Sequence, residues 1–216
     1  MKLYLFDHCP YCIKAQMAIG INRLYIELVY LDNDDVRHRE AMVGRNTVPI
    51  LEKYNGNWMA ESLDIARYLD EYCEPVRIDD SHKKEEVAEW LDHIQKPMNC
   101  LTMPRFVKMD LPEFQTPSAI RWYTSNKEAM IECSFEDAMR YTDRYKGHAE
   151  ATLSMLDWLK PPAERNNVIG WDDFEIFPFL RNLTCVKDFK FPANLEQYLD
   201  QMSKLTRIPL YQDRAI

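Results

Sequence analysis

Lys2-Leu3-Tyr4-Leu5-Phe6-Asp7-His8-Cys9-Pro10-Tyr11-Cys12 is the stretch that decides the fold of this chain. Residues 2–6 are short and apolar and read as a buried strand. Pro10 suits a first helical position, where its missing N–H costs nothing. Ile13, Met17, Ala18 and Ile21 then recur at helical spacing. The two cysteines therefore stand where a first strand passes into a first helix. Working outward, Tyr25 to Leu31 is a second strand rich in β-formers. Asp32 to Asp35 is a turn, followed by a short helix to about Met42. Val48 to Glu52 starts a third strand, Asn55-Gly56 is a type I′ hairpin signal, and Trp58 to Ala60 completes the hairpin. Glu61-Ser62-Leu63-Asp64-Ile65 opens a helix to about Tyr72. The expected order is βαβαββα, with the first two strands parallel and the last two antiparallel.

Beyond this unit, residues 1–73, the strand signals stop. Residues 74–82 read as a linker and 83–216 as an all-helical domain. Lys83 to Lys108 carries an apolar stripe, with Pro97 and Pro104 expected to bend or break it. Thr116-Pro117 leads a long helix to about Tyr145, and His148 to Leu159 is another. Gly170, with Asp173 at N3, opens a further helix, and Phe191-Pro192 begins the last. The composition agrees: 5 Gly in 216 residues is scarce for a turn-rich sheet protein and leans helical.

Charge disfavours a nucleic-acid partner. The chain has 27 Lys plus Arg against 35 Asp plus Glu, a net charge of −8. Residues 1–75 carry 8 basic and 12 acidic residues and residues 76–216 carry 19 and 23, so neither part offers a basic module. No stretch approaches the ~18–20 apolar residues of a membrane span. The first residues are too short and too soon charged for a signal peptide. A cytoplasmic setting is expected, where thiols stay reduced. Cys73, Cys100, Cys133 and Cys185 are scattered singly and read as packing residues.

Cys9-x-x-Cys12 is the strongest chemical signal. Its spacing lets two thiols close a disulfide across the first helical turn. At the helix N-terminus, unpaired N–H groups and the dipole favour a thiolate at Cys9. Cys12 can then attack a mixed disulfide there. The same spacing suits a silent pair or half a zinc site, but zinc needs two more ligands and no second close Cys or His pair exists. No metal is expected. Pro49 reads either as an ordinary strand start or as a cis proline. Glu61-Ser62 reads either as a helix cap or as a carboxylate-binding helix N-terminus. His8 and Asp7 act oppositely on a nearby thiol: Asp7 raises its pKa, and a protonated His8 lowers it. Among the cations of the helical part, Arg105, Lys108 and Arg140 are candidates to reach the site. His82, His93 and His148 receive no role.

On these motifs the chain resembles the bacterial glutaredoxin 2 group. Cys9-Pro10-Tyr11-Cys12 matches a glutaredoxin active site, and Thr47-Val48-Pro49 looks like the family's cis-proline loop. Glu61 to Ile65 resembles the glutathione-site motif of the glutathione transferase superfamily. Val43-Gly44 and Phe177 to Thr184 extend the resemblance along the chain. It implies a thioredoxin-like N-terminal domain plus an all-α C-terminal domain, glutathione transferase-like overall. It implies a dithiol glutaredoxin, with Cys9 the nucleophile and Cys12 the resolving thiol. It further implies that Tyr11, Val48, Pro49, Glu61 and Ser62 line or hold glutathione. Glutathione is then a co-substrate and no cofactor is tightly bound. The partners are disulfide-containing or glutathionylated proteins, and the chain is a monomer. A glutathione transferase acting on electrophiles and a redox-silent scaffold are the alternatives; the intact Cys pair argues against both.

Overall fold

The computed structural model describes residues 1–73, 78–80 and 83–216. The N-terminal unit follows the expected order. It comprises β1 (Lys2–Leu5), α1 (Pro10–Ile21), β2 (Glu27–Tyr30), α2 (Val36–Val43), β3 (Ile50–Glu52), β4 (Trp58–Met59) and α3 (Ser62–Glu71). The sheet order is β2-β1-β3-β4, with β1 parallel to β2 and antiparallel to β3. Leu3 and Leu5 put β1 in the core, whereas β2 is a largely exposed edge.

The hairpin at Asn55-Gly56 forms, but not through a type I′ turn. Only Gly56 has positive φ, +79°, and Asn55 does not. Gly56 N donates to Lys53 O at 3.0 Å and Lys53 N to Asn57 O at 2.9 Å. That is a three-residue loop closed by a glycine bulge.

Beyond α3, Ile78–Asp79 forms β5, inside the expected linker. It pairs in parallel with β6 (Ile169–Gly170). Residues 74–77, 81 and 82 of that linker lie outside the described residues. The helical part comprises α4 (Lys84–Phe106), α5 (Pro117–Ile131), α6 (Phe135–Arg140), α7 (Thr142–Thr152), α8 (Trp171–Leu183) and α9 (Ala193–Thr206).

Three expectations change here. First, Pro97 and Pro104 do not break α4, which runs through both. Its buried face, with Trp90, Ile94, Met98, Leu101 and Phe106, is packed along the whole length. Tertiary packing there overrides a local penalty of about 3 kcal/mol per proline. Second, the long helix from Pro117 stops at Ile131. Glu132 turns left-handed at φ +60°, and Ser134 caps α6 by accepting from Asp137 N at 3.0 Å. The helix expected over 148–159 is also divided: α7 ends at Thr152 and a 3₁₀ turn follows at Leu153–Leu156.

Gly170 caps α8 as expected. Lacking a side chain, it leaves only the return half of a capping box: its N–H donates to Asp173 Oδ2 at 2.8 Å. The helical part closes onto α1 through α8 and α9. At Gly20 the approach is so close that a Cβ would stand 1.8 Å from Thr206 O. This contact seats α1, with the Cys pair at its head, on the helical domain.

Candidate active site

β1 ends at Leu5, and Phe6-Asp7-His8 carries the chain to the head of α1. Cys9 is the N-cap, with φ −74° and ψ 116°. Its carbonyl accepts from Ile13 N at 3.1 Å. The Cys9 side chain is therefore left beside the free N–H groups of the first turn. It is 9% exposed, whereas Cys12 is fully buried.

The two thiols are electrostatically unequal. Cys9 is lowered to about 7, first by the hydrogen bond from the Cys12 thiol. Burial works against this, while His8 and the backbone N–H groups of Cys12 and Tyr11 support it. Cys12 is pushed well above the usual thiol value, first by burial and then by its bond to Cys9. Phe6 N also donates to Cys12 Sγ at 3.5 Å. Cys9 is thus the thiolate near neutral pH and Cys12 the proton-bearing partner.

Asp7 and His8 are settled by partners from the helical domain. Arg181, on α8, donates to the Asp7 carbonyl at 2.8 Å and to Asp7 Oδ1 at 2.9 Å. The Tyr211 hydroxyl donates to the Asp7 carbonyl and carboxylate, at 3.1 Å each. The Asp7 carboxylate is thereby paired with the Arg181 guanidinium. His8 N donates to Glu113 Oε1 at 3.0 Å, and His8 Nδ1 pairs with the same oxygen. Burial raises the Glu113 carboxyl, but the His8 hydrogen bonds and charge outweigh it and hold it below its usual value. Asn182 Nδ2 donates to His8 O at 2.9 Å. Rings of Phe6, Phe106, Phe114 and Tyr123 enclose the imidazole at 5.1–5.8 Å between centroids.

A cleft of about 490 Å³ opens beside Cys9 between the two domains. Tyr11 and Val48 line its N-terminal side, and Met98, Trp122 and Lys127 belong to the helical wall. The Val48–Pro49 peptide is cis. Pro49, Glu61 and Ser62 are not among the lining residues. Glu61 stands at the head of α3 with φ +74°, does not cap the helix with its side chain, and forms an ion pair with Arg45. Ser62 is buried at the first helical position. The structure thus gathers Cys9, Tyr11 and Val48 around one cleft and sets Glu61 and Ser62 at a separate helix start.

Arg105, Lys108 and Arg140 do not line the cleft. Arg105 bonds Ile216 O and Leu101 O, and Arg140 pairs with Glu136 and Asp137. The cation of the helical wall is instead Lys127, whose Nζ lies 5.8 Å from the Tyr123 ring centre. Arg39 is a second cation on the lining. It is buried, with its guanidinium on Asn46 Oδ1 and on the Asp32 and Asn33 carbonyls. Neither carried a local sequence signal, since an isolated basic residue on a helix reads as a solvated face.

Comparison with known proteins adds a family to this geometry. Residues 86–215 match the family described as Glutaredoxin 2, C terminal domain. The chain belongs to the glutaredoxin 2 family. Residues 3–75 of this glutaredoxin match the N-terminal domain of glutathione S-transferases. It is 38% identical to Glutaredoxin 2 of Escherichia coli (strain K12), over all of both chains. It superposes on Glutaredoxin 2 of Salmonella typhimurium, solved in complex with glutathione, with a TM-score of 0.92. That match has 35% identity and covers 100% of this chain and 98% of the other. A glutathione transferase from Phanerochaete chrysosporium, GSTFuA3, shares the fold at TM-score 0.72 and 13% identity, with 94% and 96% covered.

The electrostatics of this glutaredoxin's Cys pair has a pH consequence. Cys9 is a thiol below its pKa and a thiolate above it. Alkylation of the reduced protein by iodoacetamide should accelerate with rising pH through a midpoint near 7. A free cysteine would show about 8.5. A midpoint of 8.5 or higher would contradict the assignment of the thiolate to Cys9.

Proposed function

We propose that this glutaredoxin works as a dithiol, glutathione-dependent thiol–disulfide oxidoreductase on protein disulfides and glutathione mixed disulfides. The observation that carries the reading is the inequality of two neighbouring thiols at one helix head. The Cys9 thiolate attacks a disulfide sulfur and a mixed disulfide forms. With a protein disulfide, Cys12 then attacks Cys9 Sγ, expels the reduced substrate and closes the Cys9–Cys12 disulfide. With a glutathione mixed disulfide, the substrate thiol leaves in the first step. A second glutathione then attacks the glutathione sulfur held on Cys9, freeing the Cys9 thiolate and leaving as glutathione disulfide.

Glutathione is the co-substrate in this reading. Its cysteinyl part pairs in a strand-like manner with the backbone of Val48, presented by Pro49. Glu61 and Ser62 hold its γ-glutamyl end at the α3 N-terminus, and Tyr11 borders the site. The working unit is a monomer in the cytoplasm. Among the described residues no helix is long and apolar enough to cross a membrane.

The test compares two activities of the purified chain in the presence of glutathione. Reduction of a small glutathione mixed disulfide should far outpace conjugation of a chlorinated nitrobenzene. The reverse order would make the protein a transferase of electrophiles. A redox titration with no interconversion near the glutathione potential would leave only a scaffold.

A further inference from the structure

The four cysteines outside the active site are not equivalent. Cys185 is fully buried, and its thiol is pushed up to about 12 by that burial. Cys73 closes α3. Cys100 and Cys133, far apart in the chain, come together in the helical domain. Cys100 lies on α4, fully buried, and Cys133 follows α5, partly exposed.

Two independent features bring them into register. Lys96 stands one turn before Cys100 on the same face of α4. Glu132 directly precedes Cys133. Lys96 Nζ meets Glu132 Oε2 at 3.1 Å, so the turn after α5 is clamped to that face. The thiols of Cys100 and Cys133 also stand within electrostatic reach of one another, and the Tyr145 hydroxyl of α7 within reach of both.

We propose that Cys100 and Cys133 form a second redox-active dithiol, whose disulfide ties α4 to the end of α5. Cys133 is the accessible thiol and takes the first step. Its thiolate attacks one sulfur of glutathione disulfide. The disulfide bond breaks, one glutathione leaves as thiolate, and the other stays on Cys133. Cys100 then attacks Cys133 Sγ and expels the second glutathione. The two thiol protons end on the two glutathiones, and two electrons pass from the cysteines to the glutathione disulfide. Cys100 is suited to the second step, because burial holds it as a thiol until a neighbouring sulfur is offered. Tyr145, pushed up to about 12 by burial and by these thiols, keeps its own proton.

The link has a place to act. Met98, Asn99 and Thr102 on α4, and Trp122, Asn126 and Lys127 on α5, wall the cleft beside Cys9. The disulfide would staple these two walls together. It does not depend on the roles given to Cys9 and Cys12.

The full chain should be equilibrated with excess glutathione disulfide, acid-quenched, alkylated and digested with trypsin. Arg105, Lys108, Arg121 and Lys127 separate the two cysteines, so their link joins two distinct peptides. A cross-linked Cys100–Cys133 peptide pair is expected in the unaltered chain. It is expected equally in the Cys9→Ser/Cys12→Ser chain, where disulfide transfer from the first pair is impossible. In Cys100→Ser the cross-link should vanish and Cys133 should keep a glutathione adduct. A free or merely glutathionylated Cys133 in the unaltered chain, or its pairing with Cys73, would overturn the proposal. That result stands whether or not the Cys100 variant folds.

Discussion

Replacing Cys9 by serine is expected to lower turnover of a small glutathione mixed disulfide by about three orders of magnitude or more. A serine hydroxyl is not ionised at neutral pH, whereas a thiol lowered to about 7 is roughly half thiolate there. Cys12 cannot take its place, because it is fully buried and holds its proton. Replacing Cys12 by serine should leave activity within about tenfold on the same substrate, since free glutathione can resolve the Cys9 adduct. The serine hydroxyl can still donate toward Cys9, so the thiolate keeps its largest support. Cys12→Ala removes that donor and should move the alkylation midpoint of Cys9 upward. A steady-state assay with glutathione and the mixed disulfide reads these outcomes. Equal losses in the two serine variants would refute the division of labour.

The second large effect is on stability. Arg181 is fully buried yet remains charged: burial works against its cation, and Tyr211 and the Asp7 carboxylate outweigh that. Its guanidinium holds Asp7 Oδ1, the Asp7 carbonyl and Pro209 O, the last at 2.9 Å. It also lies over the Tyr211 ring, 4.1 Å from the centre. Arg181→Met preserves much of the volume but removes the donor to Asp7 Oδ1 and Pro209 O and leaves the Asp7 carbonyl only the Tyr211 hydroxyl. Removing one partner of a buried pair costs about 3–5 kcal/mol. For a chain of this size that is a fall in Tm of roughly 6–20 °C. Urea and thermal unfolding of both chains would measure it. A loss under 1 kcal/mol would mean that water enters and takes over the contacts.

The parts readable from sequence share a local cause. The β1–Cys9–α1 passage, the strand opened by Pro49 and the cap at Gly170 each rest on neighbouring residues. The break between α5 and α6 was also written locally, in Ser134-Phe135-Glu136-Asp137, a capping signal masked by the helical pattern on both sides. The β5–β6 pair was not readable, because two residues per strand carry no periodicity. Nor were the partners of the active-site loop. Glu113 lies in a 3₁₀ turn, Pro112–Phe114, that looks like any acidic turn, and Arg181 and Asn182 sit within a helix that reads as core. Their meaning arises only when chain segments far apart in sequence meet.

That separation bears on how the protein comes into being. The two residues before Cys9 owe their seating to Glu113, Arg181, Asn182 and Tyr211, and the last contact spans 204 positions. During synthesis the N-terminal strand and helix emerge first, with their dithiol already attached. The loop in front of it gains its final anchor only after residue 211 has left the ribosome. Closing so long a loop is slow relative to local folding. The nascent chain therefore carries both cysteines well before the loop that precedes them has all of its contacts.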